Sequence, residues 1–407
     1  MTQLALPALR SDNEEKPGRS RDPYYDNAKL LAVVLVVCGH FWEPLVEQPG
    51  QRHLKALYLL VYAFHMPAFI LVSGFFSRTF TARPHQLRRL ASGVLIPFVL
   101  WGTLLTLFNN ALSGAHAKIQ PLTPVWITWF LIALFLWRLT APLWRTLRAP
   151  VTIATALFLA SGVFSLGAQL SLTRVLQFLP FFVIGLTLRP SHLAWLRETR
   201  WVKGAALSVF AVAGTAAYWL APRLGAGWLY RSSSADELHV SYPHWLAQSA
   251  AIYAAGLVLT AAFLALVPHR HAWFTTLGAG TMSAFLIHAF VRQALVHTHV
   301  YDHEPLHNPA GQAVLTVLSI ALTLLLCTHP IQQVMRPFIE PRLNWLFHQG
   351  ESPPNRPADP PPEDQAHHRV PPPIARSARL SAVSRPSSRA LGEASLGVPP
   401  PNPAQPC

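Results

Sequence analysis

Long apolar runs, separated by short polar segments, set the pattern of this chain. Each run holds roughly 17 to 22 residues with almost no charged side chain, and a helix of that length crosses about 30 Å of hydrocarbon. The pattern therefore predicts an all-α membrane protein with about ten transmembrane helices. The predicted spans are 28–46, 56–77, 90–109, 123–141, 151–167, 174–190, 202–221, 246–267, 277–298 and 312–333.

The loops between these runs differ in charge from one to the next. Every second loop is basic, whereas the opposite loops are poorer in Lys and Arg and contain most of the loop acids. Because loops rich in Lys and Arg stay in the cytoplasm, both termini are predicted to be cytoplasmic. The short link at 168–173 then predicts an outward-facing helical hairpin. The basic loops hold Arg78, Arg83, Arg88 and Arg89, then Arg138, Arg145 and Arg148, then Arg189, Arg197, Arg200 and Lys203, then Arg270.

The two ends of the chain differ from its middle. Residues 1–27 mix acids and bases without an apolar run, so we expect a cytoplasmic segment rather than a cleaved signal peptide. Residues 28–345 form the predicted transmembrane domain. Residues 350–407 are rich in Pro, Ser and Arg, and such a composition cannot bury enough apolar surface to fold. We predict a disordered cytoplasmic tail there.

Composition supports a membrane location and excludes some other classes. The chain is 51% hydrophobic and only 12% charged. Its net charge of +14 comes from arginines in short loops, not from one basic stripe with interleaved aromatics, so no nucleic-acid partner is expected. Cys38, Cys327 and Cys407 have a spacing typical of neither a metal site nor a disulfide. We expect no metal, and buried thiols in the two helical positions.

A lysine and a histidine share one face of the first predicted helix. Lys29 and His40 are eleven residues apart, which is three helical turns plus about 20°, with a separation of about 16 Å along the axis. An acyl thioester of coenzyme A is anionic at its nucleotide end and has a long arm, so it would fit such a stripe. Histidine suits general-base activation of a hydroxyl. Alternatively, Lys29 snorkels to the interface and His40 bonds a neighbouring carbonyl.

Glu43 follows on the same flank of this helix. At three residues beyond His40 it could orient the imidazole ring or stabilise its protonated form. An acid near the outer interface is otherwise simply solvated.

Several motifs along the chain resemble the acyltransferase 3 family of membrane O-acyltransferases, especially its fucose 4-O-acetylase-like members. The resemblance covers roughly residues 21–340 and centres on a basic residue, ten intervening residues and a histidine, here Lys29 and His40. The remaining motifs are specific through their order and spacing. They are Tyr25–Lys29, Phe64–Phe69, Val72–Phe76, Arg88–Leu90, Ile96–Phe98, Trp129–Leu134, Phe178–Gly185 and Ser283–His288.

This resemblance implies a ten-helix enzyme whose acyl-CoA donor arrives from the cytoplasm and whose acceptor is modified near the outer face. It makes His40 the catalytic histidine and Lys29 the matching basic residue. Arg88 and Arg89 occupy the family's basic loop, where guanidinium groups could clamp the donor phosphates. Equally, these two arginines could only set the topology.

Other polar residues fall inside or beside the predicted helices and are candidates for substrate binding. His65 lies next to Pro67, whose ring should kink the second helix and open a polar pocket. His288 and Arg292 share a face of the ninth helix, where an arginine is costly unless it meets a cavity or a partner. Arg174 stands with Gln177 at the outer start of the sixth helix.

Two further features have a simpler explanation. Ser73 and Gly74 are small residues that more often indicate close helix packing than a nucleophile. The outer loop 222–244 mixes aromatic and polar residues, which suits sugar binding but is also common at any membrane interface.

The sequence thus predicts a multi-pass enzyme of the cell membrane that moves an acyl group, in the first place acetyl, from cytoplasmic acetyl-CoA or another acyl-CoA to a hydroxyl of a carbohydrate or glycoconjugate. The alternative is a secondary transporter or flippase for a polar or lipid-linked substrate. The helix interiors of a transporter would be expected to hold acidic residues. The predicted helices of this chain contain almost none. A sensor that binds acyl-CoA or sugar without catalysis is a third reading.

Overall fold

The computed structural model describes residues 22–341, and within that range the regular structure is entirely helical. The predicted tail at 350–407, most of the segment 1–27 and Cys407 lie outside the described residues. Fourteen α-helices, joined by short 3₁₀ and π turns, make up the described part. They are α1 Pro23–Trp42, α2 Arg52–Phe76, α3 Pro84–Leu90, α4 Ile96–Ser113, α5 Trp129–Thr146, α6 Pro150–Ala160, α7 Leu172–Thr187, α8 Pro190–Glu198, α9 Arg200–Leu220, α10 Gly227–Tyr230, α11 Tyr242–Leu266, α12 Thr281–His297, α13 Pro309–Leu326 and α14 His329–Ile339.

Each of the ten predicted spans coincides with a helix, and eight of them are long and apolar enough to cross a membrane. The first and the fifth predicted spans do not meet this combination of length and hydropathy. The α1 helix is 20 residues long but contains Asp26, Lys29 and His40, and the apolar α6 helix has only 11 residues. The prediction of an all-α membrane fold is confirmed, whereas the count of ten spans and the cytoplasmic termini stay predictions.

Several predicted span boundaries differ from the helix ends by five residues or more, among them the end of the tenth, at Leu326 instead of residue 333. Two of the differences have a visible cause. The first helix begins at Pro23 instead of residue 28, because Asp22 caps it by accepting a hydrogen bond from the Tyr24 amide at 3.0 Å and proline suits the first helical position. The fifth helix ends at Ala160 instead of residue 167. There the indole of Trp245 lies against Gly162, so the chain turns away.

The α2 helix lies at the centre of the bundle and packs against α1, α7, α9 and α11. Its closest neighbour is α7. A Cβ atom added to Gly74 would collide with the carbonyl oxygen of Phe182, and one added to Gly185 would collide with that of Leu71. The Ser73 hydroxyl donates to the Phe69 carbonyl at 2.9 Å. The interpretation of Ser73 and Gly74 as packing residues therefore agrees with the structure.

Replacing Gly74 by Ala is expected to lower the free energy of unfolding by about 1–3 kcal/mol, because two backbones must move apart. Gly102→Ala is the matched control, since nothing lies within 4 Å of a Cβ at that helical glycine. Alanine there should be neutral or should stabilise the helix by up to about 1 kcal/mol. Thermal unfolding in detergent micelles measures both. Equal melting temperatures for the two variants would contradict the close crossing.

The start of α1 is fixed to the segment before α12 by a buried amide. Asn27 donates to the carbonyls of Pro268 at 2.8 Å and Arg270 at 3.1 Å, and accepts from the Thr275 hydroxyl at 2.8 Å. The side chain is fully buried. Because these bonds are shielded from water, they hold the Lys29 end of α1 in register with the rest of the bundle.

The inter-helix loops gather at two ends of the bundle. At the end where α1 stops, Gln51 donates to the His307 carbonyl and Arg52 to the Tyr218 carbonyl. At the opposite end Arg197 pairs with Asp22 at 2.8 Å, and Arg78 donates to the Leu188 carbonyl. These two groups correspond to the loops predicted as outer and cytoplasmic. Cys38 and Cys327 are free and buried, as expected.

Candidate functional site

His40 lies in the last turn of α1 and faces the interior of the bundle. Its Nδ1 atom is 3.2 Å from the Tyr62 hydroxyl and 3.6 Å from a carboxylate oxygen of Glu43. The ring stacks on that of His288, with centroids 5.4 Å apart, and meets Trp126 edge-on at 4.6 Å. The rings of His288 and Trp126, whose own centroids are 6.2 Å apart, pack on adjoining sides of the imidazole, so that Nδ1 points to Tyr62 and Glu43 and Nε2 points away from them.

Glu43 connects three separate parts of the chain. One carboxylate oxygen lies 3.2 Å from a guanidinium nitrogen of Arg292, and the other accepts a hydrogen bond of 3.4 Å from Tyr230. The Tyr230 hydroxyl is also 2.9 Å from that of Tyr58. The predicted role of Glu43 beside the histidine is thus geometrically possible, because the carboxylate is held within reach of the imidazole.

Burial and the neighbouring Glu43 carboxylate raise the pKa of Tyr230 to about 12. The residue is therefore a neutral phenol at physiological pH and can donate its proton to the carboxylate. Tyr230 belongs to the short helix α10 in the outer loop 222–244, so this loop contributes directly to the surroundings of His40.

Arg292 meets the partner that an arginine in an apolar helix requires. Its side chain is 14% exposed, pairs with Glu43 and lies 4.8 Å above the Trp126 ring. Its Nη1 donates to Gln293, while its buried Nε has no hydrogen-bond partner among the residues described. Arg292 balances the charge of Glu43 and retains an N–H donor that no group of residues 22–341 accepts.

His288 and His65 have the same hydrogen-bonding arrangement. In each ring Nδ1 is 2.9 Å from the carbonyl oxygen four residues earlier, that of Ala284 and of Val61 respectively. Because a carbonyl can only accept, the hydrogen sits on Nδ1 and Nε2 is left as an acceptor. The Nε2 atom of His288 is buried with no partner in the described part of the chain. Both histidines thus offer an acceptor near His40.

A pocket with about 630 Å³ of empty space, including its mouth, opens beside His40. Its walls combine aromatic rings with a few polar groups, a combination that is typical of small-molecule sites. It contains four of the predicted site residues, and His288 and Arg292 adjoin it through His40, Trp126 and Glu43. The lining includes His40, Glu43, Tyr62, His65, Met66, Trp126, Trp129, Phe130, Arg174, Phe178, Leu229, Tyr230 and Phe285.

Arg174 lines this pocket and also holds the outer loop in place. Its Nε donates to the Tyr230 carbonyl at 3.3 Å, and its guanidinium lies 5.3 Å from the Trp129 ring centroid. Gln177, one turn further along α7, donates to the Ser233 carbonyl at 3.0 Å. The two residues therefore join α7 to the loop that carries Tyr230.

Arg231, the next residue of that loop, is inserted among aromatic rings. Its guanidinium lies 5.4–5.8 Å from the ring centroids of Phe158, Phe178 and Phe181, and the side chain is 5% exposed. Burial lowers the pKa of Arg231 to about 10, so the group still carries its charge at neutral pH. Cation–π contacts replace water there and anchor the loop over the pocket.

A second, larger cavity of about 1700 Å³ opens at the other end of α1. Three basic side chains line it, Lys29, Arg78 and Arg138, together with the acidic Asp22 and Asp26. Lys29 is 2.6 Å from a carboxylate oxygen of Asp26 and 5.9 Å from the Phe76 ring centroid. Three cations and two carboxylates leave the lining with a formal charge of +1, which favours an anionic ligand.

The two cavities meet at one aromatic side chain. Phe130 lines both of them. Its ring contacts Phe69 at 5.2 Å on the side of the Lys29 cavity and Phe285 at 5.7 Å on the side of the His40 pocket. Lys29 and His40, about 16 Å apart along α1, thus line two spaces separated by this ring.

Arg88 and Arg89 lie on α3 and line neither cavity. Arg88 is half-buried and Arg89 is exposed. The predicted donor clamp at these residues is not part of either pocket wall. Arg78 and Arg138 occupy that wall instead, although the sequence assigned both to topology alone.

Sequence reasoning also missed Tyr58, Tyr62 and Trp126, and it gave Tyr230 only a place in an aromatic outer loop, not a contact with Glu43. The sequence does contain a pattern that indicates Tyr58 and Tyr62. Tyr58, Tyr62 and His65 recur at intervals of four and three residues, which places them on one face of α2. Arg138 likewise lies within the apolar helix α5, where a charged residue indicates a site. Tyr230 had no such pattern, because its loop position alone does not show where the side chain points.

The described part of the chain is thus a helical bundle with a pocket at each end of α1, and in one of these pockets a histidine lies beside a carboxylate. Residues 22–328 match the acyltransferase domain of the acyltransferase 3 family, and the chain belongs to that family.

Two curated relatives are similar to parts of the chain. Nodulation protein NolL of Sinorhizobium fredii is 25% identical over 199 residues, which cover 46% of this chain and 53% of the relative. Nodulation protein NolL of Mesorhizobium japonicum is 30% identical over 96 residues, or 23% of this chain and 26% of the relative. The chain thus spans about half, or less, of the length of each relative it matches. No solved structure matches it.

Proposed function

We propose that the protein transfers an acyl group, in the first place acetyl, from acyl-CoA to a hydroxyl of a carbohydrate or glycoconjugate. The observation that carries this proposal is the position of His40 in a polar pocket that meets the Lys29 cavity at Phe130. The thioester end of a donor held by Lys29 would reach His40 past that ring. Membership of the acyltransferase family supports the reaction class.

His40 acts as the general base in this proposal. With a hydrogen on Nδ1 facing Tyr62 and Glu43, the lone pair on Nε2 can take the proton of an acceptor hydroxyl. The hydroxyl oxygen then attacks the thioester carbonyl carbon, and the carbon–sulfur bond breaks. The leaving thiolate recovers the proton from the imidazolium. The nearby Glu43 carboxylate stabilises the protonated ring between these two steps.

The two cavities favour direct transfer over an acyl-histidine stage. Donor and acceptor approach Phe130 from different sides, so both can be bound at once. Steady-state kinetics with both substrates varied should give intersecting lines. Parallel lines, the pattern of a ping-pong reaction, would indicate an acyl-enzyme instead.

The acceptor would occupy the wider, outer part of the His40 pocket. Tyr230, Arg174 and the Nε2 acceptor of His65 provide hydrogen-bonding groups around aromatic faces. Rings that cover an apolar sugar face and polar groups that bind its hydroxyls suit a carbohydrate.

Binding of the donor tests the donor half of the proposal without knowledge of the acceptor. Lys29→Gln, Arg78→Gln and Arg138→Gln should each weaken the affinity of purified protein for radiolabelled acetyl-CoA about tenfold, because each removes one charge from the cavity. Arg89→Gln is the matched control and should change the Kd less than twofold. Unchanged binding in the three cavity variants, together with weaker binding after Arg88→Gln and Arg89→Gln, would move the donor site to α3.

The whole reaction is tested in proteoliposomes with labelled acetyl-CoA and a panel of glycans and glycosides. Formation of a labelled, base-sensitive ester by the native protein establishes O-acetylation. Transport of an unmodified glycan without any labelled product would contradict the proposal.

A further inference from the structure

A third cavity lies on the lipid-facing side of the bundle, between α2, α9 and α11. It encloses about 1120 Å³ of empty space including its open side. Its walls are almost wholly apolar and rich in alanine, with Leu60 and Ala63 from α2, Ala213 and Ala216 from α9, and Ala255 from α11. Small side chains on two adjacent helices leave a groove where larger ones would fill it.

The length of this groove matches one leaflet of a bilayer. Along α11 it extends from Gln248 to Leu259, which is eleven residues or about 16 Å, roughly half of the 30 Å hydrocarbon thickness. One apolar chain can therefore lie in it from the end of the bundle to its middle. The groove opens to the outside of the bundle along its α9 wall, where Ala216 is exposed and Leu220 is 47% exposed.

The guanidinium group of Arg223 lies at the end of the groove nearest to the His40 pocket. Arg223, directly after α9, lines the groove, and among residues 22–341 no carboxylate lies within ion-pair distance of it. The side chain is exposed at the same end of the bundle as Glu43 and Tyr230. An anionic group at the top of an apolar chain would meet it there.

The groove adjoins the catalytic pocket. Leu229 lines both of them, and the neighbouring α2 residues Tyr62 and Ala63 face the pocket and the groove respectively. Leu229 therefore lies between a headgroup attached to a chain in the groove and the His40 pocket. Phe130 and the Lys29 cavity lie elsewhere along the pocket wall, so the groove is separate from the donor path.

We infer that the groove holds the apolar chain of a lipid-linked acceptor whose anionic link pairs with Arg223 and whose hydroxyl-bearing headgroup reaches His40 past Leu229. This inference rests on the proposed function and narrows its acceptor to an amphiphile. A water-soluble sugar would use the same pocket without the groove, and would bind more weakly.

Photo-crosslinking tests the groove independently of catalysis. The probe is dodecyl phosphate carrying a diazirine in its chain, incubated with the full-length protein in nanodiscs. We expect labelling of α9 and α11 peptides that line the groove. Ala213→Phe should reduce this labelling at least fivefold by filling the groove, and Ala211→Phe, an exposed position on the same helix outside the groove, should not.

Charge recognition is tested with the same probe. Arg223→Gln should reduce labelling by the phosphate about fivefold but leave labelling by the matching dodecanol probe unchanged. Arg200→Gln, at the opposite end of α9, is the control. Labelling that is insensitive to Ala213→Phe and Arg223→Gln would show bulk bilayer lipid only and would overturn the inference.

Transfer assays connect the groove to the reaction. Dodecyl glycosides should be acetylated with a KM at least tenfold lower than methyl glycosides of the same sugars, and Ala213→Phe should remove the difference without changing kcat for the methyl series. Equal KM values for both series would contradict the inference while leaving the proposed function intact. If no glycoside is acetylated, the proposed function fails for these sugars and the crosslinking result still decides the groove.

Discussion

His40→Ala is expected to lower kcat for acyl transfer by about 10²–10⁴-fold, because the variant lacks the base that takes the acceptor proton. Binding of acetyl-CoA should change little, since Lys29 lies about 16 Å away along α1 and the other proposed donor cations, Arg78 and Arg138, line the Lys29 cavity. Initial rates with labelled acetyl-CoA in proteoliposomes measure the first quantity, and equilibrium binding measures the second.

Two controls accompany this variant. His116→Ala changes an exposed histidine in the loop between α4 and α5 and should keep full activity. The melting temperature of His40→Ala should stay within a few degrees of the native protein, because the ring is packed at its edge and not in the deepest core. Full transfer by a stable His40→Ala protein would end the assignment of this histidine as base.

Glu43→Gln is expected to lower kcat by about 10²-fold. The amide keeps the shape of the side chain but removes the charge that lies 3.6 Å from Nδ1 of His40, where a carboxylate stabilises the imidazolium by on the order of 2–4 kcal/mol. The same change leaves Arg292 without its 3.2 Å ion-pair partner, so stability should fall as well.

The double variant Glu43→Gln/Arg292→Gln separates these two effects. Compared with Glu43→Gln, the double variant should have a higher melting temperature, because no unpaired arginine remains. Its kcat should be as low as that of Glu43→Gln. Glu47→Gln is the matched control, since its carboxylate is 59% exposed and pairs only with Lys55, and it should alter neither quantity measurably. A Glu43→Gln protein with native kcat would show that the carboxylate only holds the fold.

The long apolar runs were sufficient to predict ten of the helices, because a membrane requires long apolar segments whatever their packing, but not the short helices α3, α8, α10 and α14. The boundaries at Pro23 and Ala160 depend on other contacts. Pro23 follows a capping aspartate that could have been read locally, whereas Ala160 depends on the approach of Trp245, some 85 positions later in the chain.

Part of the candidate site was also visible in the sequence. His40, His65, Arg174 and Glu43 share one pocket, as polar residues at membrane depth are expected to face an interior space. The arginines of the second cavity were harder to choose. Arg78 and Arg88 are both loop arginines by sequence, and only the fold of the segment after α2 shows that the first lines the cavity and the second does not.

The contact of Phe69, Phe130 and Phe285 has a consequence for the integrity of the membrane. Two water-accessible spaces that open at opposite ends of one bundle would leak protons and ions if they were joined, and three edge-on rings close that connection with apolar surface. With the donor arm threaded between them, the rings would close around it and act as a seal. The protein could then pass chemical groups across a barrier that stays electrically tight.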